Sequence, residues 1–124
     1  MDLIEAELSE KIIGCAIQVH RVLGPGFLEK VYEEALLIEL RKAAVQVEQQ
    51  KQLIVFYDQI AIGDHRLDVV VDGRVVLELK ACKAIDDVHL AIVRSYLKAS
   101  RLQVGLILNF AKPTLEIRRV VLSA

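Results

Sequence analysis

An α/β fold, a mixed central sheet flanked by helices, is predicted by three features of this chain. Apolar residues recur every three or four positions in its first third and again after Asp86, the period of a helix facing a core. Between and beyond those segments the apolar residues run together, as in strands buried on both faces. The resulting order is helix, helix, three or four strands, helix, two strands, which suits helices packed around a sheet with a hairpin at its centre.

The first helix is expected over about residues 3–23, where Ile4, Leu8, Ile12, Cys15, Val19 and Val22 make the stripe. Ser9 either caps a shorter helix or sits mid-helix facing water. Gly24-Pro25-Gly26 then breaks the chain, with Pro25 as the first position of a turn or of the next helix. A second helix is expected over about residues 27–44, with Leu28, Val31, Tyr32, Ala35, Leu36 and Leu40 as its apolar stripe. Its acids Glu29, Glu33, Glu34 and Glu39 precede Arg41 and Lys42, the order the helix dipole favours.

Val45, Val47 and then Leu53, Ile54, Val55, Phe56 and Tyr57 suggest a strand, or a pair of strands, through a polar middle at residues 48–52, and Gly63-Asp64 marks a turn. Strands at about 66–71 and 74–81 are joined by Asp72-Gly73, a hairpin signal. A third helix starts at Asp86 or Asp87, either of which can cap it. Val88, Ala91, Ile92, Ser95, Tyr96 and Ala99 form one of its faces. Residues 104–110 read as a buried strand, Pro113-Thr114 as a turn, and residues 115–122 as a last strand carrying Arg118 and Arg119.

At 124 residues the chain is expected to form one domain, 1–124. It is 54% hydrophobic and 27% charged, enough apolar material for a core built from Leu, Ile, Val and Ala in the absence of Trp. A net charge of −1 excludes a grip on nucleic acid through the global field, so any such contact must use a local patch. Cys15 and Cys82 follow no metal spacing and read as buried free thiols in a reducing cytosol. The acidic start Met1-Asp2-Leu3-Ile4-Glu5 is unlike a signal peptide, and no apolar run reaches the ~20 residues that cross a bilayer. A cytoplasmic protein with no membrane partner is expected, and so apolar a composition in a small chain is also compatible with a homodimer.

The sharpest feature is Asp68, nine intervening residues, then Glu78-Leu79-Lys80. Three charges lie inside two apolar strands, and an unpaired buried charge costs several kcal/mol or shifts its pKa until it neutralises. Side chains two apart on a strand share a face, so Glu78 and Lys80 point the same way. Two carboxylates and an ammonium at one spot suit a divalent cation and a phosphate, whereas a structural ion pair is the plainer reading of the same spacing. The first reading sets a geometric demand. A strict two-residue turn at Asp72-Gly73 pairs Val71 with Arg74 and leaves Asp68 and Glu78 on opposite faces. A three-residue loop, or one bulge, brings Asp68, Glu78 and Lys80 together.

In order along the chain, Gly24-Pro25-Gly26-Phe27-Leu28-Glu29-Lys30-Val31-Tyr32, Arg66-Leu67-Asp68, Glu78-Leu79-Lys80-Ala81, Tyr96-Leu97-Lys98-Ala99 and Gly105-Leu106-Ile107-Leu108-Asn109-Phe110 together resemble the GxxExxY family, whose name Gly26, Glu29 and Tyr32 spell out. That family is similar to the PD-(D/E)XK nuclease superfamily. The resemblance implies a restriction-endonuclease-like core of a helix, a three-stranded meander, a helix and a further strand. It also implies hydrolysis of nucleic-acid phosphodiester bonds by a metal-activated water. By the same resemblance Asp68 and Glu78 hold Mg²⁺ or Mn²⁺, Lys80 orients the water, and Glu29 completes the acidic cluster. The chain departs from the family at Ile92, where many relatives carry a glutamine near the expected site. The alternative is a catalytically inactive nuclease fold kept as a binding or interaction module.

The remaining polar residues read more plainly. Tyr32 and Tyr96 are expected to be half-buried packing residues whose hydroxyls find partners, with support of the carboxylates as a second role. His20, His65 and His89 show no ligand spacing and read as surface or capping residues; His89, two turns before Tyr96 on a similar face, is the best placed for a supporting role. Glu33 reads as part of a solvated acidic face or an ion pair, and Glu48 as surface. Arg94, Lys98, Arg101 and Lys83 read as a solvated helix face or a phosphate-binding rim.

Overall fold

The computed structural model describes residues 4–122. Its elements are α1 (Ala6–Leu23), α2 (Glu29–Lys42), β1 (Val47–Tyr57), β2 (Ile60–Val71), β3 (Val75–Lys80), α3 (Asp87–Ser100), β4 (Val104–Asn109) and β5 (Glu116–Val121). The strands form one sheet in the order β1-β2-β3-β4-β5. β3 and β4 are parallel and every other neighbouring pair is antiparallel. Parallel neighbours need a long crossover, and α3 supplies it.

The helical stripes bury as their periods require. Leu8, Ile12, Ala16 and Val19 of α1 and Tyr32, Leu36, Leu37 and Leu40 of α2 share one core with Val69, Val71, Val75, Leu77, Leu79 and Phe110. On the other face of the sheet Val93 and Leu97 of α3 pack with Val70, Val76 and Ile107. β3 is therefore covered on both sides, which accounts for its unbroken apolar run. Glu78 and Lys80 have the parity of Val76 and belong to the α3 side.

Local chemistry sets the boundaries. α1 stops at Gly24, whose φ of 68° lets its N–H donate to the His20 carbonyl at 2.8 Å. Of the two acids before α3, Asp86 is the cap. Its Oδ1 accepts the N–H groups of Val88 (3.1 Å) and His89 (3.3 Å), and His89 Nδ1 accepts the Asp86 N–H at 3.1 Å. α3 can lie close on the sheet because Gly105 of β4 has no side chain: a Cβ there would stand 2.8 Å from Val93 Cγ1.

The β2–β3 connection comprises Asp72, Gly73 and Arg74, so Val71 pairs with Val75, Val70 with Val76 and Val69 with Leu77. This is the odd-length connection that a shared site demands. Other expectations are corrected. The turn expected at Gly63-Asp64 lies instead at Asp58 and Gln59, with φ of 49° and 64°, and Gly63 and Asp64 sit inside β2. Two consecutive positive φ values make the tight turn whose twist matches its strands. Ser9 sits mid-helix but is buried, its hydroxyl accepting from Arg119 Nη1 at 3.1 Å. Cys15 and Cys82 are free thiols as expected, but only partly buried. The expected helix start at Leu3 lies outside the described residues. No helix of those residues is long and apolar enough to cross a membrane.

Candidate active site

The site forms where β2 and β3 part. Their backbone pairing ends at Val69 and Leu77, while β2 continues along β1 and β3 along β4. Continuing the register sets Asp68 opposite Glu78. Asp68 takes over as partner for the freed backbone: its Oδ2 accepts the Leu79 N–H at 2.9 Å. β2 kinks at this point. Val69 and Val71 face the α1–α2 core, but both Leu67 and Val70 join the α3 core, so strict alternation fails around Asp68. Across from the kink, Gln50 of β1 has a φ of 51°. Irregularities of this kind re-aim side chains beside active sites.

Glu78 is only 8% exposed, and its Oε2 is buried without a hydrogen-bond partner. Burial first, then the neighbouring Asp68 carboxyl, push its carboxyl up to about 9; Lys80 opposes the shift and Glu29 adds to it. At neutral pH the coupled pair of acids therefore holds a proton. A structural ion pair would have neutralised these charges by contact. Yet among the described residues no salt bridge joins Lys80 to Asp68 or Glu78.

An orphaned carboxylate oxygen beside a second carboxylate fits a hard dication. Mg²⁺ and Mn²⁺ favour oxygen ligands, and Mg²⁺ usually retains several waters beside one or two carboxylates. The expected third carboxylate is not drawn in. Glu29 is the exposed first residue of α2, and among the described residues no three His, Cys, Asp or Glu side chains gather closely enough to hold a metal ion. Its influence on Glu78 is that of a nearby charge.

The supporting candidates separate. Tyr32 is fully buried rather than half-buried. Its hydroxyl donates to the Gly24 carbonyl at 2.6 Å and accepts the Phe27 N–H at 3.1 Å, and its ring stacks on Phe110 at 4.5 Å. It pins the Gly24-Pro25-Gly26 loop that leads to Glu29. His89 is committed to the α3 cap. Tyr96 does border the site: burial, then the charges of Glu78 and Asp68, hold its hydroxyl above its ordinary range.

Three residues contribute in ways the sequence reading did not assign. His65 stacks on Tyr96 with ring centres 4.3 Å apart, and its buried Nε2 has no partner. Asn109, fully buried, accepts the Cys82 and Ala111 N–H groups (3.1 and 3.2 Å) and donates to the Cys82 carbonyl (2.9 Å) and Glu116 Oε1 (3.0 Å). Glu116 also accepts the Ile85 N–H at 3.2 Å, so this network ties down the loop after Lys80. Glu33 forms the expected pair with Lys30 at 3.1 Å but is 4% exposed, not solvated, and it accepts from Gln49 and Gln50 at 2.7 and 3.0 Å. It thereby holds α2 to β1 at Gln49 and Gln50, across from the β2 irregularity. An Asn ending an apolar strand, seven residues before Glu116, was the available signal for the second; nothing local marks the other two.

Helices on both faces of a mixed sheet, with Asp68, Glu78 and Lys80 on adjacent strands at its centre, make a nuclease-like α/β core. The family model described as the PD-(D/E)XK nuclease superfamily matches residues 6–120, and the chain belongs to that superfamily. No curated protein and no solved structure gives a significant match.

Proposed function

We propose that this protein hydrolyses nucleic-acid phosphodiester bonds with the help of Mg²⁺ or Mn²⁺ held by Asp68 and Glu78. The observation that carries the reading is the buried Oε2 of Glu78, left without a hydrogen-bond partner beside Asp68, in a pair of carboxyl groups to which the protein brings no contact cation. The bound ion would supply a water of lowered pKa and neutralise charge on the phosphate. Asp68 is held for this task by the Leu79 N–H, and Glu78 by burial between β3 and α3. Lys80, on the same face as Glu78 and outside any salt bridge, orients the attacking water and stabilises negative charge as it develops. Glu29 tunes Glu78 from the start of α2. Tyr96 and His65 wall the site on its α3 side.

The test is cleavage of a labelled oligonucleotide with added Mn²⁺ by wild type, Glu78→Gln and Lys80→Gln. Lys80→Gln is expected to lose about 10²–10³ in rate, the usual cost of removing one charge-stabilising donor, while still binding the ion. Equal cleavage by all three proteins would assign the activity to a contaminant and refute the proposal.

A further inference from the structure

Beyond the carboxylates, a groove of about 680 Å³ lies between α3 and the distal half of β1. One wall is Ile54, Val55 and Phe56; the other is Ser95, Lys98 and Arg101. The β1 wall belongs to an arm. From Leu53 and His65 to the turn at Asp58 and Gln59, β1 and β2 pair only with each other, because β3 joins β2 only at Val69, Val70 and Val71. The pairing slips between Val55 and Phe56, leaving Ile62 as the extra residue, an irregularity that twists the arm at this level. Its side chains are apolar yet uncovered: Phe56 is 62% exposed, and Tyr57, Ile60 and Ile62 are equally open.

The facing wall carries charge. Lys98 and Arg101, with Arg94 one turn before, form no salt bridge among the described residues, and no carboxylate lines the groove. An apolar protein segment covering the β1 wall would leave these cations desolvated and unpaired, which is costly. A ligand with flat apolar faces and a negative backbone matches both walls. The groove neighbours the carboxylates in the fold: Tyr96, which feels Glu78 and Asp68, stacks on His65, and the cross-strand partner of His65 is Leu53, next to Ile54 of the groove wall.

We propose that this groove seats an unpaired nucleic-acid strand beside the cleavage point, a base lying on Phe56 and the backbone phosphates meeting Lys98 and Arg101. The proposal rests on the nuclease reading and adds that the substrate is single-stranded there, since a duplex keeps its base faces stacked and out of reach of Phe56. Aromatic side chains bind unpaired strands by such stacking in a sequence-tolerant way.

The test is fluorescence anisotropy with a fluorescein-labelled twelve-nucleotide single strand of mixed sequence and its blunt duplex, both in EDTA. Wild type is expected to bind the single strand at least tenfold more tightly than the duplex. Phe56→Ala should weaken single-strand binding about tenfold. Lys98→Gln with Arg101→Gln should reduce the slope of log affinity against log salt by about 1.4, at about 0.7 per phosphate contact. Arg21→Gln, on α1 across the sheet, is the control. The substituted residues are exposed, and matching circular-dichroism melts confirm that the variants fold. Unchanged binding in both groove variants, equal affinity for duplex, or a wild-type dimer that Phe56→Ala splits into monomers would each overturn the proposal, the last by making the arm a contact between copies. Because EDTA removes the ion, failure of the metal site does not touch this measurement. Cleavage that persists while binding ignores Phe56 would refute the groove and leave the hydrolase reading standing.

Discussion

Glu78 is the residue that the folded chain accommodates least well without a ligand. Its carboxyl is pushed from 4.5 up to about 9 by burial and then by Asp68, so between those values the native state binds a proton that the unfolded state has released. Stability from this group is present below the ordinary carboxylate value and is lost as pH rises toward about 9. The metal-free protein should thus melt progressively lower as pH climbs through that window. Glu78→Gln, neutral throughout, should flatten the trend and melt above wild type at the alkaline end; parallel melting curves would show that the carboxyl is not held protonated. Tyr32 illustrates the opposite case, a polar group fully served by the fold. Tyr32→Phe removes the bond to the Gly24 carbonyl and strands the Phe27 N–H, and it should cost about 1–3 kcal/mol in urea denaturation. At this scale the sequence revealed the charged trio, because charges inside apolar strands stand out. It concealed His65, Asn109 and Glu33, whose roles come in part from partners far along the chain, Cys82 at 27 residues for Asn109 and Gln49 and Gln50 at 16 and 17 for Glu33, and from a stacking contact with α3 for His65.

Among the elements, α3 and β4 approach closely at Gly105. A Cβ on Gly105 would meet Val93 Cγ1 at 2.8 Å, and Val93 is a buried, β-branched residue with little freedom to turn aside. Gly105→Ala should therefore destabilise by about 1–3 kcal/mol through overpacking, and Val93→Ala in the same chain should recover part of that loss although Val93→Ala alone is destabilising. A double-mutant cycle by denaturation measures it; strict additivity would contradict the close contact. Helices were legible because their stripes are long, and because α1 ends at Gly24 and α3 starts at the capping acid Asp86. The β1–β2 turn was not, since Asp58 and Gln59 adopt positive φ without a glycine while Gly63-Asp64 advertised a turn that the strand simply passes through. The β2–β3 connection was legible only as a condition: the site required an odd length, and Asp72, Gly73 and Arg74 supply it.

For the whole molecule, the element order predicted the α/β architecture and the resemblance predicted the superfamily, and both describe the protein. What the order of residues could not convey was the parting of β2 and β3 beyond Leu77, which sets the two acids together while leaving Glu29 outside. The central claim is that this arrangement awaits a dication. Binding should displace the proton held by the Asp68–Glu78 pair, raise the melting temperature in proportion to the logarithm of ion concentration, and be reversed by EDTA. The most direct measurement is calorimetric titration of Mn²⁺ into wild type, Asp68→Asn and Glu78→Gln in two buffers of different ionisation enthalpy. The account predicts one saturable site in wild type, proton release that makes the heat buffer-dependent, and no such heat in either variant. Absence of binding in wild type, or identical binding in all three proteins, would contradict it.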